Sequence, residues 1–139
     1  MVDRSVIGSK SDVYQFEVEK GAIRKFADAI GDDNPLYHDE EYAKQRGYKS
    51  LVAPPTFPAT FNIPKPNLNL DLKRTLHGEQ EFTYKRPIVA GDVLRCYTEV
   101  VDVYEKEGKQ KMTFYILETR GEDLDGNLVY TSRTTIILR

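Results

Sequence analysis

The sequence has no tryptophan, one cysteine and two histidines in 139 residues. A single cysteine, Cys96, excludes an internal disulfide and any zinc site built from several thiolates. Two histidines, His38 and His77, are too few for a histidine-rich metal centre, so no metal site is expected. No apolar run approaches the about 18 residues that a membrane helix needs. The stretch from Met1 to Asp12 lacks the apolar segment of a secretory signal, which predicts a cytoplasmic chain without membrane attachment. Net charge is only −2, with 20 basic and 22 acidic residues intermixed. That excludes a nucleic-acid module that works through a basic face. The nine glycines are scattered, so no phosphate-cradling loop is present.

What is there reads as one soluble, globular domain over residues 1–139, with 40% hydrophobic and 30% charged residues. That length buries a core without crosslinks. Residues 12–18 alternate, with Tyr14, Phe16 and Val18 on one face, which predicts a strand. Ala22, Ile23, Phe26, Ala27 and Ile30 then recur at helical spacing. Gly31 stands where a left-handed helix stop belongs. A short helix is expected from Glu40 to Gln45. Prolines 54, 55, 58, 64 and 66 rule out a long helix through that stretch, leaving a turn or two over Thr56 to Asn62. Leu68, Leu70 and Leu72 alternate with polar residues and fit either an edge strand or a flap. Strands follow at Gln80 to Arg86, Val93 to Tyr104, Met112 to Arg120 and Leu128 to Leu138. Turn signals separate them at Gly91-Asp92, Glu107-Gly108-Lys109 and Asp125-Gly126. The order predicts an α+β fold with one helical layer against a curved antiparallel sheet.

Segment 31–43, Gly-Asp-Asp-Asn-Pro-Leu-Tyr-His-Asp-Glu-Glu-Tyr-Ala, is where chemistry is expected. As turn chemistry it is ordinary: a helix stop, an Asx turn and a proline. As a site, it sets carboxylates and an imidazole a few residues apart, a pairing that can hold one water and move its proton. Arg86 is expected to pair with a carboxylate at a strand end, and Cys96 to be a small core residue.

This segment resembles the hydratase motif of the MaoC-like (R)-enoyl-thioester hydratases and 3-hydroxyacyl dehydratases, which runs Gly-Asp-x-Asn-Pro-Leu-His-x-Asp. The match covers Gly31, Asp32, Asn34, Pro35, Leu36, Asp39 and Ala43. Two further blocks, Leu51 to Phe57 and Leu76 to Phe82 with Arg86 to Asp92, resemble the dehydratase-like N-terminal (FAS1-type) branch of that family. The resemblance implies a single hot-dog domain, a curved antiparallel sheet wrapped around a helix. It also implies a dimer, acyl-CoA or acyl-carrier-protein thioesters as ligands, a place in fatty acid metabolism, and no cofactor.

One position departs from the motif. The family histidine falls on Tyr37, and the flanking matches hold without a gap. A phenol with an ordinary pKa near about 10 is a poor base at neutral pH. A one-residue slip is the alternative, since Asp33 and His38 keep the family's five-residue separation. The candidate catalytic residues are therefore Asp32, Asn34 and His38. The candidate substrate-binding residues are Phe26, Pro54, Pro55, Thr56, Phe57 and Phe61. Amides after Pro55 are candidates to face a thioester carbonyl, and only Thr56, Phe57 or their neighbours carry the N–H.

Three functions compete. The first is a hydratase or dehydratase component acting on (R)-3-hydroxyacyl or 2-enoyl thioesters. The second is a non-catalytic subunit that binds the acyl chain, in a tunnel lined from Ile23, Phe26, Phe57, Phe61 and the 68–72 leucines. In the family such a subunit pairs with a sister carrying an intact Asp and His, and the Tyr37 replacement favours this version. A hot-dog acyl-CoA thioesterase ranks third.

Overall fold

The computed structural model describes residues 3–66, 68 and 70–139. Seven principal elements follow in the expected order: β1 (Tyr14–Glu17), α1 (Lys20–Ala29), α2 (Glu40–Gln45), β2 (Thr75–Tyr84), β3 (Val93–Glu107), β4 (Lys111–Glu122) and β5 (Leu128–Leu138). Single 3-10 turns lie at Pro35–Tyr37, Phe57–Thr60 and Leu72–Arg74. The strands form one antiparallel sheet in the order β1-β3-β4-β5-β2, so β1 and β2 are its edges. Register breaks at Val100/Asp102, Gly121/Glu122 and His77/Glu79 interrupt the ladders. Such bulges bend a sheet and raise its twist.

Helix α1 packs on the sheet through Ile23 and Ala27, both fully buried, against Leu94, Cys96, Val129 and Tyr130. This is the layout expected of a hot-dog domain, a curved sheet around a helix. The helix stop is a Schellman motif: Gly31 (φ +70°) donates to the Asp28 carbonyl and Asp32 N–H to the Ala27 carbonyl. Ile30, assigned to the apolar stripe from its spacing, is instead 49% exposed, because it is the cap residue and the chain has already turned away from the sheet.

Two other expectations change. Strand β2 begins at Thr75 rather than near Gln80. Gly78 interrupts the apolar alternation, and it falls at the register break between His77 and Glu79. The leucine segment is neither edge strand nor regular flap where it is described: Leu68 and Leu70 belong to no strand and Leu72 opens a 3-10 turn, while Asn67 and Asn69 lie outside the described residues. A second, smaller cluster of Val100, Val103, Leu117 and Ile136 is covered by Leu68, Leu70, Val6 and Ile7.

Candidate functional site

The motif segment is built first as a backbone structure. Asp32 Oδ1 accepts from Asn34 N–H at 3.0 Å, and Asn34 Oδ1 accepts from Leu36 N–H at 3.0 Å. Asp39 Oδ1 caps α2 by accepting from Tyr42 N–H. Each polar side chain therefore satisfies an amide that the turn leaves open. The chain from Leu36 onward is then pinned to the core, as Val52 N–H donates to the Leu36 carbonyl.

This scaffold sends Tyr37 and His38 in different directions. Tyr37 is only 8% exposed and belongs to the main core cluster. It lines a recess of about 350 Å³ together with Val52, Ala53, Pro55, Tyr84 and Arg86. Its phenol oxygen bonds to no described residue, yet it is not sealed, because among the described residues no fully enclosed side-chain polar atom lacks a partner. Burial pushes the Tyr37 phenol above its ordinary value, and the charge of Asp32 pushes the same way. The hydroxyl is thus a protonated donor at neutral pH.

His38 lies on the outer side, in neither recess. Its Nε2 donates to the Asp32 carbonyl at 2.9 Å; a carbonyl only accepts, so Nε2 carries the hydrogen. Its Nδ1 is 4.0 Å from Asp28 Oδ1, a carboxylate on the exposed flank of α1. Asp33 is exposed and makes no recorded bond to His38. The structure thus brings Asp32 and Tyr37 close enough to couple, and does not bring His38 to the recess.

The wall of the small recess is stitched by short bonds. Ala53 N–H donates to Ile88 O, Ala90 N–H to Leu51 O, and Tyr84 Oη to Pro55 O at 2.5 Å. Arg86 holds Asp92 by two contacts, at 2.9 and 3.4 Å, and Asp92 Oδ2 also accepts from Val89 N–H. The arginine–carboxylate pairing expected from sequence is therefore a clamp on the turn beside the recess. Of the candidate carbonyl-facing amides, Phe57 N–H is engaged by Pro54 O within its own turn. Thr56 N–H donates to no backbone carbonyl among the described residues.

A second, larger recess of about 790 Å³ is lined by described residues of 58–72 and by side chains of β2, β3, β4 and β5. Of the residues expected to line a tunnel, Phe61, Leu68, Leu70 and Leu72 line this recess. Phe26 and Phe57 line neither recess. Phe57 stands edge-on to both Phe26 and Phe61 at 5.7 Å, and Pro54 is buried below it. Ile23 is likewise sealed in the core. The two recesses are separated by Tyr84 and Tyr130, whose rings lie 6.0 Å apart, one on the rim of each. Tyr130 seats its ring over Gly121, where a Cβ would come within 2.1 Å of Cε1. Sequence reading missed Tyr84, Tyr130 and Gly121; the only available signal was the in-phase pairing of strands, which no local pattern reveals. Among the described residues no cluster of three metal-ligating side chains occurs, and no helix is long and apolar enough to cross a membrane.

Residues 5–132 match the family model described as FAS1-like, dehydratase domain region. The chain is similar to a UPF0336 protein of Thermobifida fusca, with 39% identity over 146 residues, covering 99% of this chain and 94% of that relative. Among solved structures it resembles a chain of the C-terminally truncated HadBC (3R-hydroxyacyl-ACP dehydratase) complex from Mycobacterium tuberculosis. That match has a TM-score of 0.81 and 28% identity, covering 98% of this chain and 99% of the other. A MaoC-like dehydratase matches with a TM-score of 0.82 and 26% identity, over 96% of this chain and 42% of that longer one.

Proposed function

Because the chain belongs to the FAS1-like dehydratase family, we propose that residues 1–139 form one hot-dog domain that holds the acyl chain for a heteromeric dehydratase. Its ligands are (R)-3-hydroxyacyl and 2-enoyl thioesters of CoA or carrier protein, in fatty acid metabolism. Its partner is a MaoC-like subunit that carries an intact Asp and His. The observation that carries this reading is the exchange at position 37. Where related dehydratases keep an imidazole, this chain buries a phenol whose proton is held more tightly than usual. Such a group donates a hydrogen bond but does not accept a proton from substrate near neutral pH.

The remaining motif residues fit the same role. Asp32 and Asn34 cap the turn that presents Tyr37, and the phenol supplies a donor to a thioester carbonyl entering the small recess. The acyl tail runs past the Tyr84–Tyr130 rim into the larger recess under the 58–72 segment. Two neighbours support the two-part arrangement: one is part of a complex, and the other is more than twice as long as the region matched. Heteromer formation in the cytoplasm needs no cofactor in this scheme.

Hydration of crotonyl and long-chain enoyl thioesters, followed by loss of enoyl absorbance, tests the reading. The chain alone is expected to be silent, and a partner with intact Asp and His is expected to work faster on long chains when this chain is added. Robust turnover by this chain alone, abolished by His38→Ala, overturns it. Release of free thiol without hydration marks a thioesterase instead.

A further inference from the structure

The larger recess has two unlike walls. The described residues of 58–72 that line it are mostly apolar, Phe61, Leu68 and Leu70 among them, with Lys65 the cation on that side. The sheet side mixes apolar Phe82, Leu117, Tyr130 and Ile136 with a row of hydroxyls. In register across three strands, Thr98 of β3 is opposite Thr119 of β4, which is opposite Ser132 of β5. All three line the recess, and the next row adds Thr134 opposite Gln80.

Most of these polar atoms serve one another. Thr134 Oγ1 donates to Gln80 Oε1 at 2.8 Å, and the Thr98 and Thr119 hydroxyls share one hydrogen across 2.7 Å. The accepting hydroxyl of that threonine pair keeps its own hydrogen for a further acceptor. Ser132 stands apart. It is 7% exposed, and its hydroxyl bonds to no described residue although it borders open space. A plain alkyl chain laid against this row leaves a buried donor unmatched, which is unfavourable. A chain with one oxygen at the right depth satisfies it.

We propose, resting on the acyl-holding reading above, that this recess selects acyl chains bearing a hydroxyl or keto oxygen part-way along the tail. Ser132 donates the hydrogen bond to that oxygen, and the Thr98–Thr119 pair supplies a second donor beside it. The apolar side then holds the methylenes that flank the oxygen. Selectivity comes from the row's position along the strands, since one oxygen is accepted only where the tail crosses it.

Titration calorimetry of the full chain tests this with S-stearoyl pantetheine and analogues carrying one keto or hydroxyl group at successive mid-chain carbons. Pantetheine is the arm common to CoA and carrier protein, so the readout concerns the tail. The best-placed oxygenated chain is expected to bind about tenfold more tightly than the stearoyl chain, the worth of one net hydrogen bond. Ser132→Ala is expected to bring the ratio close to one. Thr119→Val is expected to reduce the ratio in part, and carries the test if the alanine variant does not fold. Equal affinity of all chains for the native protein, or a preference that survives Ser132→Ala, overturns the selectivity and leaves the acyl-holding role standing. No binding of any chain overturns both.

Discussion

Replacing Tyr37 by phenylalanine separates two readings of its phenol. The ring packs with the main core cluster and is almost wholly buried, and Tyr37→Phe keeps that packing. The hydroxyl has no protein partner among the described residues, so its removal breaks no internal bond. Stability is expected to change by less than about 0.5 kcal/mol, or roughly 2 °C in melting temperature. Binding is another matter. If the phenol donates to the thioester oxygen, its loss costs about 0.5–1.5 kcal/mol, which is roughly two- to thirteen-fold in affinity. The assay is steady-state hydration by the complex of this chain with a catalytic partner, alongside a thermal melt of the variant. KM is expected to rise with kcat nearly unchanged, as for a contact made equally in the ground and transition states. A drop in kcat of a hundredfold or more with KM constant refutes the reasoning, because it places the phenol in the proton transfer itself. A loss of several degrees refutes it differently, by showing a bonded hydroxyl.

Two further expectations concern the core. Gly121→Ala sets a methyl 2.1 Å from the Tyr130 ring, which cannot retreat at 1% exposure. Overpacking of this kind costs about 1–3 kcal/mol, and a thermal melt is expected to fall by roughly 4–12 °C. Shrinking the neighbour with Tyr130→Leu in the same chain should return part of it, and strictly additive losses in the double variant would remove the contact as the cause. Burial pushes the Cys96 thiol up to about 11 from 9.0, although its contact with Tyr130 pulls slightly the other way. Between those values the unfolded chain releases the proton while the folded one keeps it, so stability falls as pH rises, by on the order of 3 kcal/mol at most. Urea titrations from pH 8 to 11 should therefore show a shallower alkaline decline for Cys96→Val than for the native chain. Parallel declines count against it.

Local signals carried the elements they can reach. The short helix Glu40–Gln45 and the last strand Leu128–Leu138 fall at their expected limits, because Asp39 and the Asp125-Gly126 turn punctuate the chain within a few residues. Gly31 stops α1 as its place in the pattern required. The start of β2 was not legible, since Gly78 falls at a register break against β5 that no local pattern shows. The hydroxyl row was invisible for the same reason. Thr98, Thr119 and Ser132 are unremarkable in their own strands and become neighbours only through register. At the candidate site, the sequence displayed the departure at Tyr37 plainly. It did not display that His38 would turn outward onto the Asp32 carbonyl.

The two amide-capping side chains in the motif bear on how such sequences are sorted. Asp32 and Asn34 each hold the backbone of their own bend, so the letters survive wherever the bend is needed, whether or not a reaction takes place beside it. A search keyed to those letters collects proteins by loop shape. Those letters alone therefore do not report whether a base stands beside the bend.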